Sequence, residues 1–495
     1  MFVLGFSAIL HPVPILMIAL GVLVGIIFGS IPGLTGTMAI AMLLPLTFSM
    51  SAIDSLSLLM GLYIGAASGG LISAILLRIP GTASSIATTF DGYPMAQKGE
   101  AGKALGVAIV ASFLGGFVSF ILLFFLAPIT ADIAVKFGPF EYFALTFFAL
   151  TLISTISGDT PTKGLIAGLI GMALSIVGIS PMDGFPRFTF GIGELSNGLS
   201  LLPALVGLFA ISELLKVVKQ GDKGGNGPTA QYKIKGFGFK FSDVKNQGGN
   251  FVRSSLIGSF VGILPGLGGS TANILSYISA KNASKHPEKF GTGIVDGIIA
   301  SEASNNAAVG GALIPLLTLG IPGDTFTALL IGAFMIHGIT PGPLLFSTNA
   351  SIVYALFAAL IVANIFMIIF EYGGMRFFVK LLQIPKHYLF PVIIVLCIVG
   401  SFGLNNRIFD AWTILLFGVI GYVLSRASYP LAPVILGFIL GPMVELYFRR
   451  SLQMSEGAFL PFLQKPFSAF FIILSALVIV FSIIKNINSK KRKLS

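Results

Sequence analysis

Charged residues are scarce in this sequence: they make up 10% of its 495 residues, where a soluble protein carries roughly 25%. That scarcity excludes a string of water-soluble domains. Cysteine occurs once, as Cys397 in an apolar run, so no disulfide framework exists. The four histidines, His11, His286, His337 and His387, are scattered without ligand spacing, and none is expected to hold a metal. The single tryptophan, Trp412, and the many phenylalanines are expected to face lipid or to sit in an interfacial belt. The Gly-x-x-x-x-Gly-Lys-Ser/Thr loop of an ATP-driven pump is missing. Also missing are His-Glu-x-x-His and the Gly-x-Gly-Asp of an intramembrane protease, since Gly320–Asp324 has the wrong spacing. The chain therefore reads as a non-enzyme, with an intramembrane enzyme or an anion channel as the alternatives.

Apolar residues are abundant: 55% of the chain, with a mean hydropathy of +0.95. Leu105–Phe125, Ser351–Phe370 and Phe467–Ile484 are free of charge, and about 20 apolar residues suffice to cross a bilayer. Some segments are shortened or broken by Gly and Pro, and the count points to an all-α polytopic membrane protein of roughly 10–14 transmembrane or re-entrant helices. The first segment, Ile9–Phe28, lacks a basic leader and is expected to remain a membrane helix. The formal charge of +11 does not indicate nucleic acid, because the basic residues cluster in loops and near Lys490–Lys493, as topology signals do.

The chain repeats itself. Gly29-Ser-Ile-Pro-Gly-Leu-Thr-Gly-Thr37 matches Gly262-Ile-Leu-Pro-Gly-Leu-Gly-Gly-Ser270, and Gly69–Thr82 matches Gly310–Asp324 in the same order. Two related membrane repeats are expected at 1–215 and 251–450. A polar cytoplasmic linker at 216–250 joins them, and 451–495 adds a transmembrane helix with a basic tail. Between Lys216 and Arg253 there are eight Lys or Arg against two Asp, which places that linker in the cytoplasm, with the N-terminus outside. Corresponding loops differ in charge: Ser49–Ser55 has only Asp54, whereas Lys281–Lys289 has three Lys against Glu288. That difference is the signature of inverted repeats. Arg449 and Arg450 run against the scheme, which places them outside.

Gly33, Gly36, Gly266, Gly268 and Gly269 follow Pro32 or Pro265 at the ends of apolar segments, where a helix breaks. Backbone broken at membrane depth is buried in protein or lines a watery cavity. Half-helices restarting at Thr37 and Thr271 would aim free N–H groups into it, and such ends bind anions, carboxylates included. The expected substrate site comprises Gly33, Thr35, Gly36, Thr37, Gly266, Gly268, Gly269, Ser270, Thr271 and Asn273, together with Arg78 and Thr82 at the Ile79-Pro-Gly-Thr82 break. The alternative is that these glycines only allow close packing. Gly115, in an uninterrupted segment, is expected to tolerate alanine.

Glu302, Ser304, Asn305 and Asn306 precede the second Ile-Pro-Gly break, and Asp324 closes it. Their oxygens suit a hard cation such as Na⁺, and an intramembrane carboxylate suits a proton relay. Either they form an ion site or they are solvated groups at a helix end.

These motifs resemble the large membrane subunit of the tripartite tricarboxylate transporters, the TctA family. The resemblance runs from Gly25 to about Glu445. It is carried by Ile31–Thr37, Ile79-Pro-Gly-Thr82, Asp91-Gly-Tyr-Pro-Met-Ala-Gln-Lys-Gly-Glu-Ala-Gly102, Phe188-Thr-Phe-Gly191 and Gly262–Gly269. It implies a multi-pass bacterial inner-membrane symporter driven by Na⁺ or H⁺, with no other cofactor. It also implies a small tri- or dicarboxylate substrate such as citrate, a periplasmic solute-binding protein, a small membrane subunit and an elevator-like mechanism. The chain departs from the family pattern at Arg78, where Asn is usual, and at Ala83, where Pro is usual. In the cavity, Arg78 would pair with a substrate carboxylate.

Overall fold

The structure, a computed structural model, describes residues 2–156, 161–220, 238–239, 245–381, 395 and 407–494. Cys397, His387 and most of the 216–250 linker lie outside the described residues. In chain order the helices are α1 (Phe2–Ile9), α2 (Pro12–Ser30), α3 (Gly36–Leu43), α4 (Ala52–Leu77), α5 (Thr88–Met95), α6 (Ala101–Ala134), α7 (Pro139–Ile156), α8 (Pro161–Ser175) and α9 (Ser212–Gln220). They continue as α10 (Gly248–Ile263), α11 (Gly268–Ala283), α12 (Val295–Leu319), α13 (Thr325–Ile336), α14 (Ala350–Leu381), α15 (Ile408–Arg426), α16 (Leu431–Met454) and α17 (Pro466–Leu494). The strands described are two residues each, Gly178–Ile179 and Pro186–Arg187, paired antiparallel. Among the described residues, six helices are long and apolar enough to span a bilayer. The all-α polytopic expectation holds.

The chain divides into two compact units, and each draws on both halves of the sequence. One comprises Met1–Ala131 and Glu213–Gly400, the other Asp132–Ser212 and Ser401–Ser495.

In the first unit, α2 and α4 lie against each other in the same direction. Gly21, Gly25 and Gly29 fit against the backbone of Leu58, Leu62 and Ala66, while Gly61, Gly65 and Gly69 fit against Ile18, Val22 and Ile26. Glycine every fourth residue strips one helix face of side chains and lets the two backbones touch. The other half repeats the device: Gly258 and Gly262 of α10 meet Ser304 and Ala308 of α12, and Gly311 meets Ser259. Because each pair runs in parallel, α3 and α11 must carry the chain back between them. Gly115 takes part in the same kind of packing. It abuts the Ala303 carbonyl, and Gly116 next to it meets the Asn364 amide, so α6 is wedged between α12 and α14. The expectation that Gly115→Ala would be mild is therefore corrected: the segment is uninterrupted, but a Cβ there has no room.

The second unit packs α8 against α16 through Gly168, Gly171 and Gly437, and stacks Tyr142 of α7 on Tyr447 at 4.9 Å. Arg449, the residue at odds with the charge rule, donates to Asp183 at 2.7 Å and to Glu445 at 3.2 Å, while Arg187 donates to Glu445 at 2.5 Å. Hydrogen bonds from Arg449 and then Ser180 hold the Asp183 carboxyl well below the usual carboxylate range. Arg449 is thus a locally neutralised charge and a weak topology signal.

Candidate functional site

Both Pro-Gly-Leu breaks turn through glycine in the left-handed region, Gly33 at φ 88° and Gly266 at φ 79°, a conformation open to glycine at no steric cost. The helices restart at Gly36 and Gly268, one and three residues before the expected Thr37 and Thr271. Gly268 and Gly269 thus belong to the first turn of α11, whose N–H groups have no partner within the helix. The side chain of Thr35 caps α3, accepting from the Met38 N–H at 3.1 Å, and lies 3.0 Å from the Thr37 hydroxyl. Ser270 donates weakly to Leu267 at 3.4 Å, and Thr271 is half-buried.

The second pair of breaks shares one hydrogen-bond scheme. The Thr82 N–H donates to Ser85 Oγ at 3.3 Å, and Ser85 Oγ donates back to the Thr82 carbonyl at 2.9 Å. Likewise the Asp324 N–H donates to Thr327 Oγ1 at 2.8 Å, and Thr327 Oγ1 donates back to the Asp324 carbonyl at 2.9 Å. Each long helix before the break ends left-handed, at Arg78 (φ 58°) and Gly320 (φ 70°).

The halves then contact each other reciprocally. Gly36 of the first faces Phe326 of the second, and Gly269 of the second faces Ser84 of the first. Those glycines are matched positions in the repeat, and so are Ser84 and Phe326. A contact in which i meets j and j meets i is what a two-fold relation produces. Gly268 lies against the Asp324 side chain and Gly269 beside Asn305 Oδ1. Of the expected substrate residues, Gly36 and Gly269 thus touch the opposite half, while Gly266 and Gly268 touch the second break of their own half, at Gly323 and Asp324. Gly33, Thr35, Thr37, Ser270 and Thr271 adjoin them in sequence, and three others stand apart. Asn273 is fully buried with both amide ends engaged: it accepts from the Ala87 N–H at 2.7 Å and donates to the Ser301 carbonyl at 3.1 Å. Arg78 is exposed, its guanidinium 5.7 Å from the Tyr93 ring. Thr82 is spent largely on its own turn.

Four of the expected ion residues, Glu302, Ser304, Asn305 and Asn306, sit inside α12 and are buried, so they are not solvated groups at a helix end, whereas Asp324 is half-buried at the start of α13. Glu302 accepts from Ser112 Oγ at 3.0 Å, from Asn305 Nδ2 at 3.4 Å and from Thr88 Oγ1. Asn305 also donates to the Ala67 carbonyl at 2.8 Å. Ser304 is not brought to this cluster: its hydroxyl donates to Ala300 and Ser301 of its own helix, on the face packed by Gly258. Asp324 caps α13, with Oδ1 accepting from the Thr327 N–H at 2.8 Å and Oδ2 accepting from Tyr63 Oη at 2.5 Å.

Sequence reasoning overlooked Tyr63, whose ring also stacks on Phe326 at 4.7 Å. It overlooked Glu371, although a lone acid in an apolar run is a recognised signal. It also gave no role to Asp91, the first residue of the long motif. The Asp91 carboxylate accepts from the N–H groups of Gly291, Gly293 and Ile294 and from Tyr277 Oη at 2.8 Å, so it fixes the turn into α12.

Spanning helices interrupted in matched pairs define a multi-pass membrane protein of transporter type. Residues 15–436 match the tripartite tricarboxylate transporter TctA family, and the chain belongs to that family. It is 38% identical over 491 residues to the uncharacterized 52.8 kDa protein in the TAR-I ttuC' 3' region of Agrobacterium vitis, covering 99% of this chain and 97% of the relative. A second Agrobacterium vitis protein, in the TAR-II ttuC' 3' region, is 38% identical over 234 residues, covering 47% of this chain and 97% of the relative. No solved structure matches.

Proposed function

We propose that this chain is the large permease of an inner-membrane system that imports a small di- or tricarboxylate, citrate being the type case, by symport with Na⁺ or H⁺. A periplasmic solute-binding protein delivers the substrate and a small membrane subunit completes the complex. The observation that carries the reading is the reciprocal meeting of Gly36 with Phe326 and Gly269 with Ser84. It puts the starts of α3 and α11 at one locus, each with a positive dipole end and first-turn N–H groups that have no partner within the helix. A carboxylate there replaces its water shell with fixed backbone donors and the hydroxyls of Thr35, Thr37 and Ser270. The buried polar cluster of α12, with the Glu302 charge and the Asn305 and Asn306 amides, makes the neighbouring interior favourable to the coupling cation, while Asp324 stands at the rim of the breaks. Inverted repeats, each contributing to both compact units, suit an elevator-like movement of one unit carrying the site. The test is uptake of labelled citrate and other di- and tricarboxylates into proteoliposomes with the binding protein present, under imposed Na⁺ or pH gradients. Saturable, gradient-dependent uptake is expected. Gradient-independent, non-saturating flux would make the chain a channel.

A further inference from the structure

Among the described residues, the buried acids are Asp91, Glu141, Glu302, Glu371 and Asp410, and no Lys, Arg or His is buried with them. Asp91 and Glu302 are each held by three or more donors. Glu371, in the middle of α14 and fully buried, has far less. Ser68 Oγ donates to its Oε2 at 2.9 Å, and its Oε1 has no partner. A buried carboxylate left half-solvated is costly, and such an orphan marks a missing water or ion.

Three more orphan atoms lie on two residues of α12 and α14. Asn306 is fully buried with neither amide atom paired. Asn364 donates to the Phe113 carbonyl at 2.8 Å and leaves its buried Oδ1 unpaired. The helices bring these groups into one interior. Asn306 is one turn beyond Glu302 on the same face of α12, and that face lies along α6: Ser112 meets Glu302, Gly115 meets Ala303 and Ser119 meets Gly310. Gly116, between those contacts, meets Asn364 of α14. On the other side, adjacent residues of α4 join the same two helices, Ala67 to Asn305 and Ser68 to Glu371.

We infer that α4, α6, α12 and α14 enclose a monovalent-cation site in which Glu371, Asn364 and Asn306 are ligands. The inference rests on the transporter reading above for its purpose and adds two residues of α14 to it. The donor set is one carboxylate oxygen and two amide oxygens, which suits a hard cation such as Na⁺. Three donors hold Glu302 in place, and its charge lends the site negative potential without needing to coordinate. The site is separate from the rim of the breaks, where the Asp324 oxygens are taken up by Thr327 and Tyr63. An ion bound here couples to the break through Asn305, whose amide spans Glu302 and Ala67 and whose Oδ1 reaches Gly269.

The test is Na⁺ binding to the purified full chain in detergent, by titration calorimetry and by the Na⁺-dependent rise in melting temperature over an equal concentration of choline. Glu371→Gln, which keeps the shape, is expected to weaken Na⁺ binding about tenfold or more, since it removes a charged ligand. Asn364→Ala and Asn306→Ala should each weaken it by a smaller factor. Ser119→Ala, which removes only a bond within α6, should bind Na⁺ as the wild type does, and all variants must elute as monodisperse protein. Na⁺ affinity unchanged in both Glu371→Gln and Asn364→Ala overturns the site. So does uptake driven by pH alone with no Na⁺ binding to the wild type. If Na⁺ binds through Glu371 but no carboxylate is transported, the permease reading fails and the cation site stands.

Discussion

At the first Ile-Pro-Gly break, Thr82 exchanges hydrogen bonds with Ser85; at the second, Asp324 exchanges the same bonds with Thr327 through the same atoms. The side chains on this shared scaffold then diverge. The first break ends α4 on an exposed arginine and carries a neutral cap, whereas the second ends α12 on glycine and carries a carboxylate tied to Tyr63. A hydroxyl three residues after each break, on Ser85 or Thr327, bonds the backbone of the break residue in the same way and holds the two-fold relation of the scaffold. The side chains of the break residues themselves, Thr82 and Asp324, and of the helix ends, Arg78 and Gly320, break that relation. A site between such halves can therefore be symmetric in shape and asymmetric in charge, as a carboxylate substrate with a separate coupling cation requires.

The largest effects should come from adding volume where the halves meet. A Cβ on Gly36 would enter the Phe326 ring and the Ala66 methyl, while one on Gly269 would meet Ser84 and Asn305 Oδ1 at 2.9–3.1 Å. Overpacking a filled site costs typically about 1–3 kcal/mol. Gly36→Val and Gly269→Val should both abolish uptake while the protein is still inserted. With alanine the two should separate, because an aromatic ring cannot yield as a serine can: Gly36→Ala loses uptake and Gly269→Ala keeps part of it. Equal uptake in the two alanine variants would show that the ring yields as readily as the serine. Gly115→Ala should also be severe, through lost folded yield, because it meets backbone.

Removing the caps should come next. Asp324→Ala loses the Thr327 and Tyr63 bonds, and loss of an N-cap costs about 0.5–2 kcal/mol. Thr82→Ala loses only a 3.4 Å contact from its side chain and should lower the melting temperature by much less. Asp324→Asn should recover most of the loss, because Asn caps as well as Asp. If Thr82→Ala and Asp324→Ala melt alike, the second break gains nothing from its side-chain cap.

Tyr63→Phe should be milder still. It keeps the stack on Phe326 and deletes one hydrogen bond, at a cost of about 1 kcal/mol, read as a small fall in melting temperature.

How much of this was legible in the sequence depends on whether the signal is local. Proline and glycine at Pro32-Gly33 and Pro265-Gly266 break a helix wherever they stand, so the breaks and the repeat could be read directly. Gly115 looks like any small residue in an apolar run. Only its neighbour Ala303, distant in sequence, makes it intolerant, and no pattern within α6 reports that. Glu371 was hidden in the opposite way. The charge-free stretch stops at Phe370, so the acid that follows looks like the edge of an apolar segment, although α14 continues to Leu381. The interleaving of the two units was illegible as well, because the sequence repeat divides the chain once, near 216–250, whereas the compact units divide each half again.

The smallest expected effect is also the one that separates scaffold from chemistry most cleanly. Arg78 is held at φ 58° where its counterpart is Gly320, and a left-handed non-glycine residue costs about 1–2 kcal/mol. Arg78→Gly should therefore leave the melting temperature unchanged or raise it by a few degrees, since relief of strain opposes the greater freedom of glycine in the unfolded chain. The reverse change, Gly320→Ala, should lower it, because a Cβ there would be both left-handed and 2.8 Å from the Pro341 carbonyl. If the arginine contributes charge to an incoming carboxylate, Arg78→Gly will raise the substrate concentration for half-maximal uptake while the protein becomes no less stable. Arg78→Lys, which keeps the charge and the strain, should lie close to the wild type in both measurements. Unchanged uptake in Arg78→Gly would leave the arginine as an exposed helix end stacked on Tyr93, and would confine the asymmetry of the two breaks to Asp324.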